Sequence, residues 1–413
     1  MKDRLLLISP LPTRYTAGEL EIDEQALNSE FTQILNHFEY LSVGCLLLPE
    51  SLRETSENSA WCKVSSSPLR DRLEIIPLPY AYKLTDFIAS FKQTRNLLRQ
   101  EILNSKYLAF SPYVLIGDWA GVACLEAMSL GRSYAFMIAR IEYEILRKTA
   151  RTQPLKRRIK YPITTNLMKQ YIRFVASRSN VALLQGSDCF NEFSPYCKNP
   201  HLVHKVSTNK SDQIEPANLE HKLASIIKGD DLQICYSGRL SEMKGPLDWI
   251  RAIHLALNSG VKLKATWLGD GSLQNDALSL AKELAVDSFI DFPGFVSDRG
   301  QVLSTLLNSH LFMFCHKTPE SARCLIEALV SGCAIVGYSS ANSDELVAEK
   351  GGGQFVPVND WRKLAETIIA LDRDRVKLAA LVRQAALSGR NFDQESIYHY
   401  RCSLIQQYGT NSV

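Results

Sequence analysis

The sequence predicts an α/β protein with two domains, each built around a parallel β-sheet. The chain has 413 residues, which is long enough for two domains with hydrophobic cores of their own. In its second half, short apolar runs alternate with longer helical patterns. This alternation is typical of parallel strands that are covered by helices on both faces. The first half shows the same alternation less regularly, and we therefore expect a second α/β domain there.

The second half alternates between strands and helices without interruption. Residues 246–258 illustrate the pattern, because one helical face carries Leu247, Ile250, His254 and Leu257, and Gly260 follows as a stop signal. The predicted strands are 232–236, 263–268, 289–292, 311–315, 334–338 and 354–356, and the predicted helices are 246–258, 272–285, 299–309, 319–331, 342–349 and 360–371.

In the first half, the clearest helix is predicted at 24–38, where Leu27, Phe31, Ile34 and Phe38 share a face. The other elements are shorter and less distinct. The predicted strands are 4–9, 43–49, 73–77, 113–117, 133–138 and 181–185, and two more helices are predicted at 119–131 and 167–177.

A polar stretch at 207–220 is the best candidate for the connection between the domains. After Leu371 the chain is helical in pattern to about residue 407. We therefore expect an N-terminal domain at 1–205, a linker at 206–228, a C-terminal domain at 229–385 and a final helical segment at 386–413.

Composition excludes several classes of protein. A formal net charge of +3 is too small to indicate nucleic-acid binding, and no run of apolar residues reaches the ~20 needed for a membrane span. The ten cysteines are irregularly spaced, with no Cys-x-x-Cys pair, so we expect reduced core residues. The apolar run near the N-terminus is too short for a signal peptide. We expect a cytoplasmic protein, and no residue spacing indicates a metal site.

The strongest functional pattern lies between Lys317 and Tyr338. An apolar run precedes this segment and another ends it, so it predicts a strand, a helix and a strand. Thr318 and Pro319 suit the start of the helix, and Gly332 suits its end.

Glu320 and Glu327 would lie on one face of this helix, since seven steps of ~100° nearly complete two turns. Glu320 would stand at the helix N-terminus, where N–H groups and the helix dipole attract anions. Glu327 would lie roughly 10 Å further along. The spacing suits a diphosphate and a ribose. The alternative is that both are solvated helix glutamates.

A second motif follows the predicted strand at 232–236. It reads Gly238-Arg239-Leu-Ser-Glu-Met-Lys244-Gly245 and precedes a helix. An arginine fork and a lysine at the carboxyl edge of a parallel sheet would suit a departing nucleoside diphosphate that no metal neutralises. For an isolated Arg and Lys, an ordinary solvated loop would be the simpler explanation.

Together the two motifs resemble the donor site of the retaining glycosyltransferases of family 4. That family has seven residues between its two glutamates, whereas six separate Glu320 from Glu327 here. The resemblance is strongest over roughly 230–360. It implies the GT-B fold, with two Rossmann-like α/β domains facing across a cleft and a last helix that crosses back to the N-terminal domain. It also implies a metal-independent reaction without a cofactor, in which the donor substrate is a nucleotide sugar such as a UDP- or GDP-sugar.

The resemblance also implies roles for individual residues. Arg239 and Lys244 would stabilise the leaving diphosphate, Glu320 would contact the donor sugar, and Glu327 would accept hydrogen bonds from the ribose hydroxyls. The other substrate-binding candidates in this half are Gly238 and Gly271 in turns, Phe295 against the nucleotide base, His316 near the donor, and Ser321, Ala322, Arg323, Cys324 and Leu325, whose region offers backbone N–H groups to phosphate or sugar oxygens.

In the N-terminal half, Glu142 and Glu144 occupy the place where family members end a strand with an acidic or histidine residue facing the acceptor. We take Glu142 as the catalytic candidate there. Asp118 is a substrate-binding candidate, and the alternative is that it caps a helix beginning at Trp119. The family's glycine-rich loop after the first strand is not evident, because Ser-Pro-Leu-Pro stands at 9–12.

Residues 147–160 hold seven Lys or Arg and no acidic residue. This segment is either a solvated loop or a patch that attracts anionic lipid headgroups. In the second case the protein would contact the inner membrane face peripherally.

The predicted function is the transfer of a sugar, with retention of configuration, from a nucleotide sugar to an acceptor hydroxyl. The acceptor would be a glycan, a lipid-linked molecule or a small molecule in polysaccharide, glycolipid or glycoconjugate biosynthesis. Two alternatives are a sugar-nucleotide epimerase on the GT-B fold and a non-catalytic protein that binds nucleotide sugars. The sequence leaves the sugar, the base, the acceptor and the oligomeric state open.

Overall fold

The structure is a computed structural model that describes residues 3–52, 60–149, 155–318 and 321–409. The chain divides into two units. The first comprises Met1–His204 together with Glu395–Val413, and the second comprises Lys205–Gln394.

The first unit contains a nine-stranded sheet. Its strands are β1 (Arg4–Thr16), β2 (Glu19–Asp23), β3 (Tyr40–Leu47), β4 (Trp61–Lys63), β5 (Leu73–Pro79), β6 (Tyr107–Phe110), β7 (Ala135–Ile138), β8 (Val181–Gln185) and β9 (Pro200–Val203). Most residues of β3, β6, β7 and β8 are buried, as expected for strands covered on both faces.

Strand β1 organises this sheet. Its first residues pair in parallel with β3 and β6, while Thr13–Thr16 pair antiparallel with β2. The residues at 9–12 continue β1 through an irregularity in its pairing, so no glycine-rich loop interrupts the strand. The parallel strands follow the order β5-β3-β1-β6-β7-β8-β9, and β2 and β4 extend the sheet in antiparallel fashion. Strand order reverses between β1 and β6, and ligands of open α/β sheets bind at such a switch point.

One strand and two helices of the first unit differ from the sequence-based expectation. The predicted strand at 113–117 is wrong, since the strand lies at Tyr107–Phe110 and the later residues connect it to a helix. The predicted helix at 24–38 begins as a π-helical turn, Ala26–Phe31. A 21-residue helix, α2, was not expected. The helices are α1 (Thr32–Leu35), α2 (Leu84–Asn104), α3 (Trp119–Ser129), α4 (Glu142–Thr149), α5 (Leu155–Ser177) and α6 (Gly186–Phe193).

The second unit contains a six-stranded sheet in which every pairing is parallel. Its order is β12-β11-β10-β13-β14-β15, so the switch point lies between β10 and β13. Three of its elements, the strands Leu263–Leu268 and Ala334–Tyr338 and the helix Pro246–Asn258, have the bounds that the sequence predicts. The strands are β10 (Leu232–Ser237), β11 (Leu263–Leu268), β12 (Ile290–Gly294), β13 (Leu311–Phe314), β14 (Ala334–Tyr338) and β15 (Gly353–Val356).

Helices cover both faces of this sheet. Part of the predicted linker is helical, because Pro216 starts a helix that ends at Gly229, which has a left-handed backbone. The signature helix begins at Arg323 and not at residue 319. The helices are α7 (Pro216–Lys228), α8 (Pro246–Asn258), α9 (Gln274–Glu283), α10 (Arg299–Asn308), α11 (Arg323–Val330), α12 (Ala341–Leu346), α13 (Trp361–Arg373) and α14 (Arg375–Gly389).

Lys222 explains why α7 belongs to the second unit. Its buried ammonium group donates to the carbonyl oxygens of Leu306, Ser331 and Gly332, at 3.4, 2.9 and 3.1 Å. These carbonyls lie at the C-terminal ends of α10 and α11, where a cation is favoured. Burial lowers the pKa of Lys222, and the three acceptors compensate for its lost hydration.

The last helix, α15 (Gln394–Gly409), packs on the first unit. Tyr398, Cys402 and Ile405 belong to the same hydrophobic cluster as Leu5 and Val43 of the first-unit strands.

All ten cysteines are free thiols, and seven of them are buried in strands and helices or directly beside them. Among the helices that the structure describes, none combines the length and apolar character needed to cross a bilayer.

Candidate functional site

The carboxyl ends of β10 and β13 bring the predicted donor-site motifs of the second unit together. These strands pair in parallel, so the loop after β10, with Arg239 and Lys244, lies beside the chain that leaves β13 at His316 and Lys317. Arg239 is exposed, and Lys244 is half-buried. The edge of the sheet at its switch point therefore carries three basic side chains.

Glycines allow the loops after β10 and β11 to pack backbone against backbone. Gly238 has φ +155°, Gly269 +140° and Gly271 +154°. A Cβ atom on Gly269 would lie 2.2 Å from the carbonyl oxygen of Gly238, and one on Gly271 would lie 2.5 Å from that of Leu240. The Leu240 N–H donates to the Asp270 carbonyl at 2.7 Å. These contacts hold the backbone on both sides of Arg239.

Lys244 is held in place by the chain that leaves β13. It ends a 3₁₀ turn, and Gly245 follows with φ +63° before α8 begins. A Cβ on Gly245 would lie 2.5 Å from the carbonyl oxygen of Cys315. The N–H of Lys317 donates to the Met243 carbonyl at 2.8 Å. The position of Lys244 is thus fixed by two strands and not by its own loop alone.

His316 is buried at this edge and lies 2.8 Å from Tyr236, measured between Nε2 and the phenol oxygen. Burial lowers the pKa of His316 well below its usual range, and the charge of Lys244 lowers it further. The imidazole is therefore neutral near pH 7 and serves as a hydrogen-bonding group and not as a cation.

Lys317 belongs to a polar cluster that the sequence did not reveal. Its Nζ lies 2.7 Å from Oδ2 of Asp248, which also accepts a hydrogen bond from the Tyr338 hydroxyl at 2.9 Å. Arg251 lies 3.4 Å from the other oxygen of Asp248. The cluster ties the first turn of α8 to the ends of β13 and β14, directly behind the Lys244 turn.

The carboxylate of Glu327 makes two polar contacts with described side chains of the second unit. Ser207 donates to its Oε1 at 3.0 Å, and Nη1 of Arg299 lies 3.6 Å from the same oxygen. Nη2 of Arg299 also binds Asp212 at 2.7 Å. No sequence pattern pointed to Ser207 or Arg299, because Ser207 is 120 positions away from Glu327 and precedes the first strand of the unit.

The start of α11 corrects the expected geometry of the signature. Ala322 is the N-cap, and it has no side-chain oxygen with which to cap the helix. The described helix begins at Arg323 and contains Glu327, whereas Glu320 lies outside the described residues, so the expectation that the two glutamates share one helical face stays a prediction. Thr318 lies in the connection after β13 and is not the N-cap of α11.

The remaining candidates of the second unit differ in exposure. Ser321 and Cys324 are half-buried and Arg323 is exposed, whereas the side chains of Ala322 and Leu325 are buried in the core. These two residues therefore offer only their backbone to a ligand.

Phe295 is 56% exposed just after β12. A large apolar side chain in this position can pack against a planar ligand.

In the first unit, Glu142 is the first residue of α4 and its Oε2 lies 2.7 Å from Nε of Arg140. Glu144 is half-buried two residues further on. Glu142 therefore carries a charge partner from the same short loop, between β7 and α4.

Asp118 is the N-cap of α3, which is the alternative to substrate binding that the sequence offered. Its carboxylate accepts hydrogen bonds from the N–H groups of Gly121 at 3.2 Å and Tyr113 at 3.1 Å. Asp118 is only 2% exposed, and burial raises its pKa to about 7 although these backbone groups favour the charged form. It lies after β6, at the switch point of the first unit.

The basic segment 147–160 is only partly described, because residues 150–154 lie outside the described ranges. Helix α5 begins within it, at Leu155, and carries Ile163, which is 67% exposed, and Leu167, which is 53% exposed. These two residues are one helical turn apart.

Two cavities, of about 570 and 410 Å³, lie at the opposite edge of the second-unit sheet. The first includes Lys262 and Leu263 at the start of β11, and the second includes Gln233 and His310 at the starts of β10 and β13. Neither cavity is part of the candidate site. Within the described residues, no group of three or more His, Cys, Asp or Glu side chains is placed to hold a metal ion.

Solved structures match almost the full length of the chain. Anabaena HepE in complex with UDP is 14% identical, with 98% of this chain and all of that chain covered and a TM-score of 0.68. Sucrose-phosphate synthase from Thermosynechococcus elongatus is 13% identical, with 98% and 99% covered and a TM-score of 0.63. Both sheets have the Rossmann-like parallel order described above. The chain has the GT-B fold. The prediction of two Rossmann-like α/β domains is therefore confirmed.

A family model matches most of the second unit. Residues 219–388 match the family model of glycosyl transferases group 1. A putative colanic acid biosynthesis glycosyltransferase, WcaL of Escherichia coli K12, is 27% identical over 183 residues. The match covers 42% of this chain and 45% of WcaL, so the chain spans less than half the length of this curated relative. The family match includes Arg239, Lys244 and Glu327.

Proposed function

We propose that this protein is a glycosyltransferase that moves a sugar from a nucleotide sugar to an acceptor hydroxyl, in the biosynthesis of a polysaccharide, glycolipid or glycoconjugate. One observation carries the proposal. Arg239, Lys244 and Lys317 converge at the switch point of the domain that matches glycosyl transferases group 1. Structures of HepE with UDP and with UDP-glucose support a nucleotide-sugar donor.

In the proposed reaction, the bond between the anomeric carbon and the diphosphate breaks ahead of attack by the acceptor. Negative charge then develops on the diphosphate, and groups fixed in advance lower this barrier most effectively. Arg239 offers a planar fork and Lys244 a compact charge, and both are held by the loop contacts described above. We propose these two residues as the principal catalytic groups, in a reaction that proceeds with retention.

The other donor-site residues would bind and orient the substrate. Glu327 would accept hydrogen bonds from the ribose hydroxyls, Phe295 would pack against the base, and neutral His316 would hydrogen-bond the donor. Glu320 would contact the donor sugar. Gly238 and Gly271 shape the loops, and Ser321, Ala322, Arg323 and Cys324 would present backbone N–H groups to phosphate or sugar oxygens. The N–H of Leu325 instead donates to the Ala322 carbonyl at 3.2 Å.

On the acceptor side, we propose that Glu142 assists deprotonation of the acceptor hydroxyl together with the departing diphosphate. Its half-buried position at the start of α4, beside Arg140, provides a fixed carboxylate. Asp118 has a structural role as a helix cap, and any contact with the acceptor would come in addition to it.

We propose that the reaction needs no metal or other cofactor, because Arg239, Lys244 and Lys317 supply positive charge where the diphosphate departs. Undiminished activity in EDTA would agree with this. A requirement for Mg²⁺ or Mn²⁺ would contradict it.

We also propose a cytoplasmic location with peripheral contact to anionic membrane through residues 147–160. The basic run and the exposed Ile163 and Leu167 of α5, the helix that begins within this run, support this contact. Sedimentation with vesicles that contain phosphatidylglycerol, compared with vesicles of phosphatidylcholine alone, tests it. Equal sedimentation with both would contradict an electrostatic contact.

The experiment that tests the proposed function measures release of UDP or GDP from a panel of nucleotide sugars, with candidate acceptors present. Product formation that Lys244→Ala abolishes is the expected result, and NMR of the product gives its anomeric configuration. Tight binding of a nucleotide sugar without turnover of any acceptor would favour a non-catalytic binding protein. Conversion of the sugar without an acceptor would favour an epimerase.

A further inference from the structure

We propose that Arg299 is a positioning residue of the donor site, which together with Ser207 fixes Glu327 for contact with the ribose of a nucleoside diphosphate. The inference rests on the proposed function, because it assigns a task to the same site. It concerns a residue for which neither the sequence motifs nor the resemblance suggested a role.

The contacts of Glu327 are asymmetric. Ser207 donates to Oε1 at 3.0 Å, and Arg299 approaches the same oxygen at 3.6 Å. Within the described part of the chain, Oε2 takes part in no hydrogen bond or ion pair. One oxygen is thus held by the protein, and the other is available to a ligand. A ribose hydroxyl needs one such acceptor.

Arg299 is itself held in place. It is the first residue of α10, whose N-cap Asp298 accepts from the Gly300 N–H at 2.8 Å. Its Nη2 binds Asp212 at 2.7 Å, and Asp212 also accepts from the N–H of Asn209 at 2.8 Å. The guanidinium group therefore bridges two carboxylates, one structural and one in the donor site.

Ser207 and Asp212 stand on the same short segment at the start of the second unit. Thr208, beside Ser207, donates through its hydroxyl to the Phe392 carbonyl at 2.9 Å, and the Gln394 N–H donates to the Thr208 carbonyl at 2.8 Å. These two hydrogen bonds hold the segment against the backbone at 392–394. The segment in turn carries Ser207, which contacts Glu327 directly, and Asp212, which holds Arg299.

The ion pair is better suited to positioning than to stability. The side chains of Arg299 and Glu327 are 40% and 17% exposed, and ion pairs of this kind contribute little to folding. A free glutamate side chain must lose rotational freedom when it binds a ligand, and partners that fix it beforehand reduce that cost. We therefore expect removal of Arg299 to weaken recognition of the ribose with little effect on folding.

Calorimetric titration tests this with UDP, 2′-deoxy-UDP and 3′-deoxy-UDP, and with the corresponding guanine nucleotides. The variants are Arg299→Gln, Arg299→Lys and Ser207→Ala. Arg383→Gln is the matched control, because it breaks an exposed ion pair with Glu220, 3.3 Å long, elsewhere in the same unit. The melting temperature of each variant is measured in parallel.

The wild type should prefer the ribonucleotide over at least one deoxy analogue by about tenfold or more, as expected for a hydrogen bond to a charged acceptor. In Arg299→Gln this preference should fall to about threefold or less, Arg299→Lys should restore part of it, and Arg383→Gln should retain all of it. Ser207→Ala should lower the preference as well. The melting temperature should change little in every variant.

Three results would overturn the inference. If Arg299→Gln keeps the full ribose preference, the residue has at most a structural role. If it binds UDP or GDP more tightly than the wild type, Arg299 competes with the ribose for Glu327. If the wild type binds both nucleotides but shows no preference between ribo and deoxy forms, Glu327 does not contact the ribose. By contrast, no binding of either nucleotide to the wild type would contradict the proposed function itself, and the inference with it.

Discussion

The two units place similar parallel sheets around chemically opposite switch points. In the second unit, the edge between β10 and β13 carries Arg239, Lys244 and Lys317. In the first unit, the residues after β6 at 111–118 include no Lys or Arg and end in Asp118, a buried carboxyl group that caps α3. One edge is therefore suited to a multiply charged anion, and the other is not.

This difference separates the residues that determine where a ligand site lies in each sheet from the residues that determine the charge of that site. Strand order alone puts a ligand-binding position at the same point of both sheets. The loops that follow the strands then decide its charge. In the second unit, glycines at 238, 269 and 271 allow the loops to interlock around a cationic motif. In the first unit, backbone N–H groups converge on a buried acid.

The largest effect should come from Lys244→Ala. Loss of a fixed cation at the departing diphosphate should lower kcat by roughly 10²–10³-fold. Lys262→Ala is the control, because Lys262 is an exposed lysine of the same unit that lines a cavity at the opposite edge of the sheet. Steady-state kinetics measure both variants, with the nucleotide sugar that gives product in the release assay as the donor. Equal activity of the two would remove the distinction between the edges.

Asp118→Asn tests the first-unit switch point. Burial raises the folded-state pKa of Asp118 to about 7 from its usual 3.8, so between these values the folded state holds a proton that the unfolded state loses. This contribution to stability is full at low pH and is lost as pH rises toward 7.

The free energy of unfolding of the wild type, relative to Asp118→Asn, should therefore fall by roughly 2–3 kcal/mol between pH 5 and 7 and level off above. Urea unfolding of both proteins at several pH values measures it. A difference that rises with pH would show that the carboxylate is stabilised in its charged form, as in an ordinary cap.

Asp248→Asn probes the support behind Lys244. It weakens the contacts with Lys317 and Tyr338, and we expect a loss of about 1–2 kcal/mol in the free energy of unfolding together with weaker UDP or GDP binding. Tyr338→Phe removes one donor and leaves the ion pair, so its effect on both should be smaller. Comparable effects of the two variants would mean that the ion pair contributes nothing beyond the neutral hydrogen bond.

The smallest effect should come from Glu142→Gln. If the departing diphosphate shares the task of deprotonation, kcat should fall by less than in Lys244→Ala, while the Kd for UDP or GDP stays unchanged. Arg140→Gln, which leaves the carboxylate without its ion-pair partner, provides the comparison. An unchanged kcat in Glu142→Gln would exclude Glu142 from the reaction.

Much of the second unit could be predicted because its signals are local. Helix α8 and strands β11 and β14 follow from apolar periodicity and flanking turn residues within one short stretch. The motifs with Arg239, Lys244 and Glu327 are also contiguous in the sequence. The start of α11 was misplaced because Pro319 resembles a first helical residue, although the helix begins at Arg323.

The first unit was harder to predict because its decisive contacts are distant in sequence. The apolar run at 113–117 has the composition of a strand, but Tyr107–Phe110 is the segment that pairs with β1. Helix α2 leaves Leu84 and Ile88 exposed, which blurs its apolar face. For the same reason, no local pattern reveals that Ser207 and Arg299 hold Glu327.

The most direct test of the central claim is thermal stabilisation by UDP, GDP and their sugars, measured on the wild type, Arg239→Ala and Lys262→Ala. A ligand at 100 times its Kd stabilises the folded state by about 2.7 kcal/mol, which gives a clear rise in melting temperature. We expect a rise for at least one nucleotide that is lost in Arg239→Ala and kept in Lys262→Ala. No rise with any nucleotide, or a rise that Arg239→Ala retains in full, would contradict a diphosphate site at the carboxyl ends of β10 and β13.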